Sequence, residues 1–202
     1  MTSEIDKYHL PFAGRWFVAH AGDTLNVNHH MRARAQRYGI DFMKVGGSSS
    51  RRLFKSDGKT IEDFYSWGES VFAPVSGKLE AAIDGLPDNP IGIFDKQNTC
   101  GNYVVIRTKA GKFAFIAHLQ NGSVNVKCGD DVKAGQPIGK CGNSGNSNAP
   151  HIHLHTQDTP AFNKGTGQNM VFGGINVELT GKIFENVDWP LIRGLFVWNG
   201  QT

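Results

Sequence analysis

The sequence predicts a mainly β protein, a single antiparallel β-sheet domain carrying loop insertions. Three observations lead to this class. Short runs rich in Val, Ile, Phe and Tyr alternate with polar residues, the period of half-buried strands. Gly/Asp/Asn/Lys clusters separate these runs and read as turns. Glycine is abundant, at 25 of 202 residues, which favours many tight turns over long helices.

Taken in order, FAGRWFVAHAG (residues 12–22) supplies an early strand or two, its short apolar runs broken by glycine. NVNHHMRARAQRY (26–38) is polar and basic without a clear period, so a loop is predicted there, with an amphipathic helical turn at MRARAQR as the alternative. YGIDFMKV (38–45) alternates weakly and reads as a strand. Residues 46–68 read as an insertion or long loop, with one helical turn at TIEDFYSWG.

From residue 70 the β pattern becomes regular. SVFAPVSGKLEAAI, NYVVIRTKAGKFAFIAHL, SVNVKCGDDVKAGQPIGKCG and HIHLHTQD are β-prone runs between turn clusters, and TKAGKF reads as a hairpin turn. NMVFGGINVELTGKIF and LIRGLFVWNG add further strands, with Pro190 marking a break. No internal repeat or low-complexity tail divides the chain, so residues 1–202 are expected to form one domain.

Lys and Arg total 21 against 18 Asp and Glu, a formal charge of +3, too small to imply a nucleic-acid partner. The basic residues between Arg32 and Lys59 give a local excess of +6, read here as a solvated segment. No apolar run approaches the roughly 18 residues of a membrane-spanning helix. The start, MTSEIDKYHLPF, lacks the apolar segment of a secretory signal. Cys100, Cys128 and Cys141 are an odd number; a Cys128–Cys141 disulfide and free thiols are both compatible with their spacing.

The histidines carry the chemistry. In APHIHLH, period two places His151, His153 and His155 on one face of a strand, with Ile152 and Leu154 directed into the core. Imidazoles on same-face residues, whose Cα atoms stand about 6.5–7 Å apart along a strand, can converge on one site, as two ligands or as ligand plus base. His155, at the strand's end, is the weakest candidate. His118 closes FAFIAHL and faces a polar site if Ile116 shares its face. Asp41 interrupts the apolar run GIDFM, where an unpaired carboxylate is costly to bury and a metal would remove the cost. His29 and His30 lie upstream of it. Catalytic zinc sites use three protein ligands and keep a position for water.

With these residues in place, the chain resembles the M23 family of zinc metallopeptidases, the lysostaphin-like peptidoglycan endopeptidases. The resemblance rests on YGIDF, VFAPVSGKL, GNYVVIRTKAGKFAFIAHL and VNVKCGDDVKAGQPIGKCGNSGNSNAPHIHLH, in the family's order, over about residues 38–156. It implies a lysostaphin-like fold with an insertion at about 46–68 and a C-terminal β extension. It further implies Zn²⁺ as cofactor, with Asp41 and His153 as ligands and His118 and His151 as the catalytic, non-ligand histidines. The commonest family pattern places the first ligand histidine four residues before the aspartate, where this chain has Arg37. A variant resembling N-x-H, an insertion, then Q-R-Y-x-x-D fits NHHMRARAQRYGID and puts that ligand on His30, with His29 the competitor.

The implied activity is zinc-dependent endopeptidase hydrolysis of peptide bonds in bacterial cell-wall cross-bridges or stem peptides. One histidine would act as general base and the other would stabilise the developing oxyanion. The implied location is periplasmic or extracellular, set against the missing signal segment. The insertion and the C-terminal part are expected to narrow or gate the groove. The alternative is a noncatalytic lysostaphin-like module that binds or scaffolds, which predicts loss of a ligand or catalytic histidine. A cupin-like barrel also uses H-x-H but wants a glutamate shortly after, where this strand offers Asp158. GNSGNSN is expected to be a tight loop positioning the H-x-H strand, and Asn102 to serve local backbone hydrogen bonding.

Overall fold

The computed structural model describes residues 6–47 and 50–200. In chain order the strands are β1 (Lys7–Tyr8), β2 (Trp16–His20), β3 (Ile40–Lys44), β4 (Ser70–Phe72), β5 (Gly77–Ile83), β6 (Asn102–Thr108) and β7 (Phe113–Leu119). They continue with β8 (Asp131–Val132), β9 (Pro137–Lys140), β10 (Ile152–Gln157), β11 (Gly167–Gln168), β12 (Val171–Leu179), β13 (Lys182–Trp189) and β14 (Phe196–Asn199).

The mainly β class holds, with two corrections to a single antiparallel sheet. Twelve strands form one sheet along the path β1-β12-β14-β2-β3-β10-β7-β6-β5-β8, with β11 on β10 and β13 on β12. A second, two-stranded sheet pairs β4 with β9. The β1–β12 pairing is parallel, the other pairings being antiparallel. Parallel neighbours need a long connection, and β1 and β12 stand at opposite ends of the chain.

One face of the large sheet carries the core, where Phe12 stacks on Trp16 at 4.5 Å between ring centroids and meets Phe42 edge-on at 5.0 Å. Ile116, Ile152 and Leu154 belong to the same buried cluster. Strand β10 lies between β3 and β7 and is buried along its whole length, so its opposite face is covered too. That second face bears the histidines.

Residues 26–38 are not a plain loop. Two short 3-10 turns, His29–Arg32 and Arg34–Gln36, occupy the stretch. Buried Asn28 organises it: its side chain accepts from the His30 amide at 3.1 Å and donates to the carbonyls of Gly22 (2.9 Å) and Gly39 (3.1 Å). A side-chain cap of this kind replaces the hydrogen-bond partners that a turn's first amides lack.

The helical turn expected in TIEDFYSWG is present as a 3-10 turn at Ile61–Asp63. Around it residues 50–68 fold back on themselves: Phe54 and Phe64 form a β-bridge and Asp63 accepts hydrogen bonds from Ser56 and from the Gly58 amide. Ser48 and Ser49 of this segment lie outside the described residues. All three cysteines are free, Cys128 exposed and Cys100 and Cys141 buried.

Candidate functional site

Register brings the site residues together. His153 on β10 is the cross-strand partner of Asp41 on β3 and of Ala117 on β7. Three distant segments of sequence therefore meet in one row on the face opposite the core. Gly39, just before β3, makes this approach feasible. A Cβ there would lie 3.0 Å from Cε1 of His153, 3.2 Å from Cγ of His30 and 3.0 Å from the Gln36 carbonyl oxygen.

His118 reaches the site differently from the sequence expectation. Ile116 is in the core, so strict alternation would bury His118 with it. The backbone prevents this. His118 has φ of 63°, and Ala117 and His118 together oppose a single residue of β6, between the pairs Asn102–Leu119 and Val104–Ile116. This β-bulge re-aims His118 toward the Ala117 side and returns Leu119 to the core.

The metal-type cluster is compact. Nε2 of His30 lies 2.9 Å from Oδ2 of Asp41, and Nδ1 of His153 lies 2.9 Å from Oδ1. His29 stands farther off, its Nε2 3.9 Å from Oδ2, with over half of its side chain exposed. The candidate donor atoms of His30, Asp41 and His153 all fall within 4.8 Å of one another, close enough for one cation to bridge.

The two remaining histidines have fixed tautomers. Nδ1 of His118 donates to the Ser144 carbonyl at 2.8 Å, and Nδ1 of His151 donates to the Ala149 carbonyl at 2.9 Å. In each ring Nε2 then carries the lone pair. Nε2 of His151 is 3.6 Å from Oδ1 of Asp41, and the two rings lie 4.8 Å apart between centroids.

The loop GNSGNSN is the tight support expected of it. Buried Ser147 donates to Oδ1 of Asn143 at 2.7 Å, Asn143 donates to the Asn89 carbonyl at 2.8 Å, and Ser144 donates to the Leu119 carbonyl at 2.7 Å. Gly145 has φ of 78° and packs against Gly101 so closely that a Cβ would sit 2.3 Å from the Gly101 nitrogen. Asn102 is a backbone fastener: its side chain bonds both the amide and carbonyl of Leu86 and the carbonyl of Leu119.

His155, discounted from the sequence as a strand-end residue, is buried and joined to the cluster. Its Nδ1 lies 2.9 Å from Nε2 of His153, and its Nε2 lies 3.4 Å from Oε1 of Gln157. It also stacks on Phe115 at 4.7 Å with an 8° interplanar angle. The signal was the unbroken period two of HIHLHTQ, which puts Gln157 on the same face.

Charge and protonation suit a cation. Burial would raise the Asp41 carboxyl, but the nearby charges of His30 and then His151 hold it well below the usual carboxylate range. Burial first, then the charge of His30, pushes His153 down to about 4. Burial likewise holds His118 and His155 well below the ordinary imidazole value.

The hydrogen-bond chain identifies the nitrogen of His153 that faces the carboxylate. Gln157 donates to the carbonyls of Thr159 (2.7 Å) and Ala161 (2.8 Å), so its Oε1 accepts from His155. His155 Nδ1 then accepts from Nε2–H of His153, leaving the His153 Nδ1 lone pair opposite an ionised oxygen. Two acceptors 2.9 Å apart repel unless a positive charge lies between them, so the donor set fits a metal.

The cluster opens into a cleft of about 520 Å³. Its walls come from residues 29–36, from Phe94, Thr99 and Cys100, from 146–149, and from Phe162. Among the described residues the insertion at 46–68 contributes no lining residue, and neither do β12–β14, so of the two segments expected to narrow the groove only the C-terminal part reaches it, through Phe162. The insertion's described residues instead pack on themselves and on β3, where Ser66 accepts from the Lys44 amide at 2.8 Å.

Comparison with known proteins gives concordant results. The family model described as "Peptidase family M23" matches residues 58–166, a stretch that includes His118, His151 and His153 and begins after Asp41. The peptidoglycan DD-endopeptidase ShyC of Vibrio cholerae is 32% identical over 146 residues, covering 69% of this chain and 32% of that protein. The glycyl-glycine endopeptidase ALE-1 of Staphylococcus capitis is 51% identical over 133 residues, covering 65% of this chain and 27% of that protein. The chain thus spans about a third or less of the length of either curated relative. The solved catalytic domain of lysostaphin from Staphylococcus simulans is 26% identical, with 76% of this chain and 86% of that chain covered and a TM-score of 0.46.

Proposed function

The chain belongs to peptidase family M23, and from that premise we propose that it is a zinc-dependent endopeptidase hydrolysing peptide bonds of bacterial peptidoglycan. The observation that carries this reading is the convergence of His30, Asp41 and His153 beside two histidines whose free Nε2 atoms are set by backbone carbonyls. Zinc would be held by Nε2 of His30, the Asp41 carboxylate and Nδ1 of His153, with His29 left outside this set. Zinc bound there supplies Lewis acidity, polarising a carbonyl and acidifying a water.

The protein groups handle the protons. One of His118 and His151 takes a proton from the attacking water at its Nε2 lone pair. The other, protonated, donates from Nε2 to the developing oxyanion, and a proton returns to the leaving amine. The Nδ1 bonds to Ser144 and Ala149 keep both rings oriented through this exchange and stabilise each imidazolium. Burial favours the neutral return state of His118, which it holds well below the ordinary imidazole value.

We further infer one domain over residues 1–202, with a family core at about 38–156, the 46–68 insertion and a C-terminal β extension. The joining of β12 and β14 to β2 in the main sheet supports this. Peptidoglycan as substrate places the site of action outside the cytoplasmic membrane. Among the described residues no helix is long and apolar enough to cross a membrane.

The two relatives are named for different bonds, so the test uses two substrates, D,D-cross-linked peptidoglycan and pentaglycine. Zinc content by elemental analysis and product masses are measured for wild type, His30→Ala, His29→Ala and His153→Ala. The expected result is one tightly held zinc and cleavage of at least one substrate. Both are expected to be lost in His30→Ala and His153→Ala, with tight zinc retained in His29→Ala. Wild type without zinc, or full cleavage by His153→Ala, would overturn the reading.

A further inference from the structure

Asp41 lies between two pairs of imidazoles, of which the zinc reading uses one. The cross-strand row runs His20, Asp41, His153 and Ala117, one residue from each of β2, β3, β10 and β7. His20 therefore flanks Asp41 on the side opposite His153. An irregularity in β2 puts it there. Val18 pairs with Phe42 and His20 with Asp41, so β2 advances two residues while β3 advances one.

The 3-10 turn above the sheet repeats the pairing. His29 and His30 are consecutive, with ring centroids 4.0 Å apart. His30 leans over His153 at 4.5 Å, and His29 leans over His20 at 4.1 Å. Candidate donor atoms of His20, His29 and Asp41 all lie within 4.8 Å of one another, the same spacing that the His30, Asp41 and His153 group meets. Nδ1 of His20 is buried and has no hydrogen-bond partner among the described residues. An unsatisfied buried nitrogen is costly, and a cation held at Nδ1 would relieve that cost.

We propose that His20, His29 and Asp41 form a second divalent-cation position beside the first, with the Asp41 carboxylate shared between the two. Two imidazoles and a carboxylate select a zinc-class transition metal over magnesium or calcium, which take oxygen donors. The second position is the weaker. Its carboxylate is already engaged, and His29 must lose the freedom of a side chain that is 53% exposed. The proposal rests on the zinc reading of the first position.

The test is equilibrium dialysis of the purified, chelator-stripped protein against buffered free zinc, with bound metal counted by elemental analysis. Wild type is expected to bind two equivalents in two separated steps. His20→Ala and His29→Ala are each expected to keep the tighter step and lose the weaker. His29 is exposed, so its variant reports even if His20→Ala proves unstable by circular dichroism. Saturation of wild type at one equivalent overturns the second position alone. So does survival of the second equivalent in His29→Ala, or loss of the tighter step in that variant. Wild type that binds no zinc overturns the first position and the second with it.

Discussion

Nε2 of His153 lies 2.9 Å from Nδ1 of His155, and through this contact a residue outside the cleft sets which nitrogen of His153 faces Asp41. Outer partners of this kind orient a ligand histidine and raise its basicity. His155→Ala is expected to lower zinc affinity about 10–100-fold while far-UV circular dichroism stays unchanged. Competition with a chromophoric chelator measures it. Wild-type affinity in His155→Ala would reduce the contact to packing against Phe115.

The proposed mechanism gives His118 and His151 proton transfer and leaves metal binding to His30, Asp41 and His153. Each single alanine variant is expected to retain zinc and to lose about 10²–10⁴ in kcat. The double variant should be little worse than the poorer single one, because the two act on one transition state. Loss of zinc from either single variant would move that residue into the ligand set.

Gly39 is small because two imidazoles need the space. Gly39→Ala places a methyl within 3.0 Å of the His153 ring and of the Gln36 carbonyl oxygen. Displacing anchored groups by a few tenths of an ångström is expected to cost about 1–3 kcal/mol and to weaken zinc binding in parallel. Urea unfolding and metal competition read the two effects separately. An unchanged midpoint would show that the backbone of residues 36–39 yields freely.

The metal-free protein should lose stability as pH falls from about 7 to 4. His153 is lowered from 6.5 to about 4, so between those values the unfolded chain binds a proton that the folded one does not. Its stabilising contribution is full above the unfolded value, is lost progressively below it, and is on the order of 3 kcal/mol. His118 and His155 are lowered in the same direction by burial and add to the slope. Asp41, also lowered, contributes above its unfolded value and is lost only at more acidic pH. Urea midpoints at pH 7, 6, 5 and 4 measure the trend; a flat profile would mean that these rings protonate without unfolding the site.

The sequence by itself determined the strands and the face on which HIHLH presents its histidines, because side-chain direction in a strand follows from a period of two that needs no knowledge of neighbours. It also marked Asp41, a carboxylate in an apolar run, as a group needing a counter-charge. Everything that depended on breaking the period or on contacts distant in sequence was decided by the tertiary structure. The positive φ of His118 turns that ring out of the core, and the irregularity in β2 sets His20 beside Asp41. His29 and His30 are adjacent in sequence, and what separates them in space is how Asn28, capping the turn, sets the chain over β3 and β10. Local pattern encodes direction along a strand; which strands become neighbours, and at what register, is fixed by burial summed over the whole sheet.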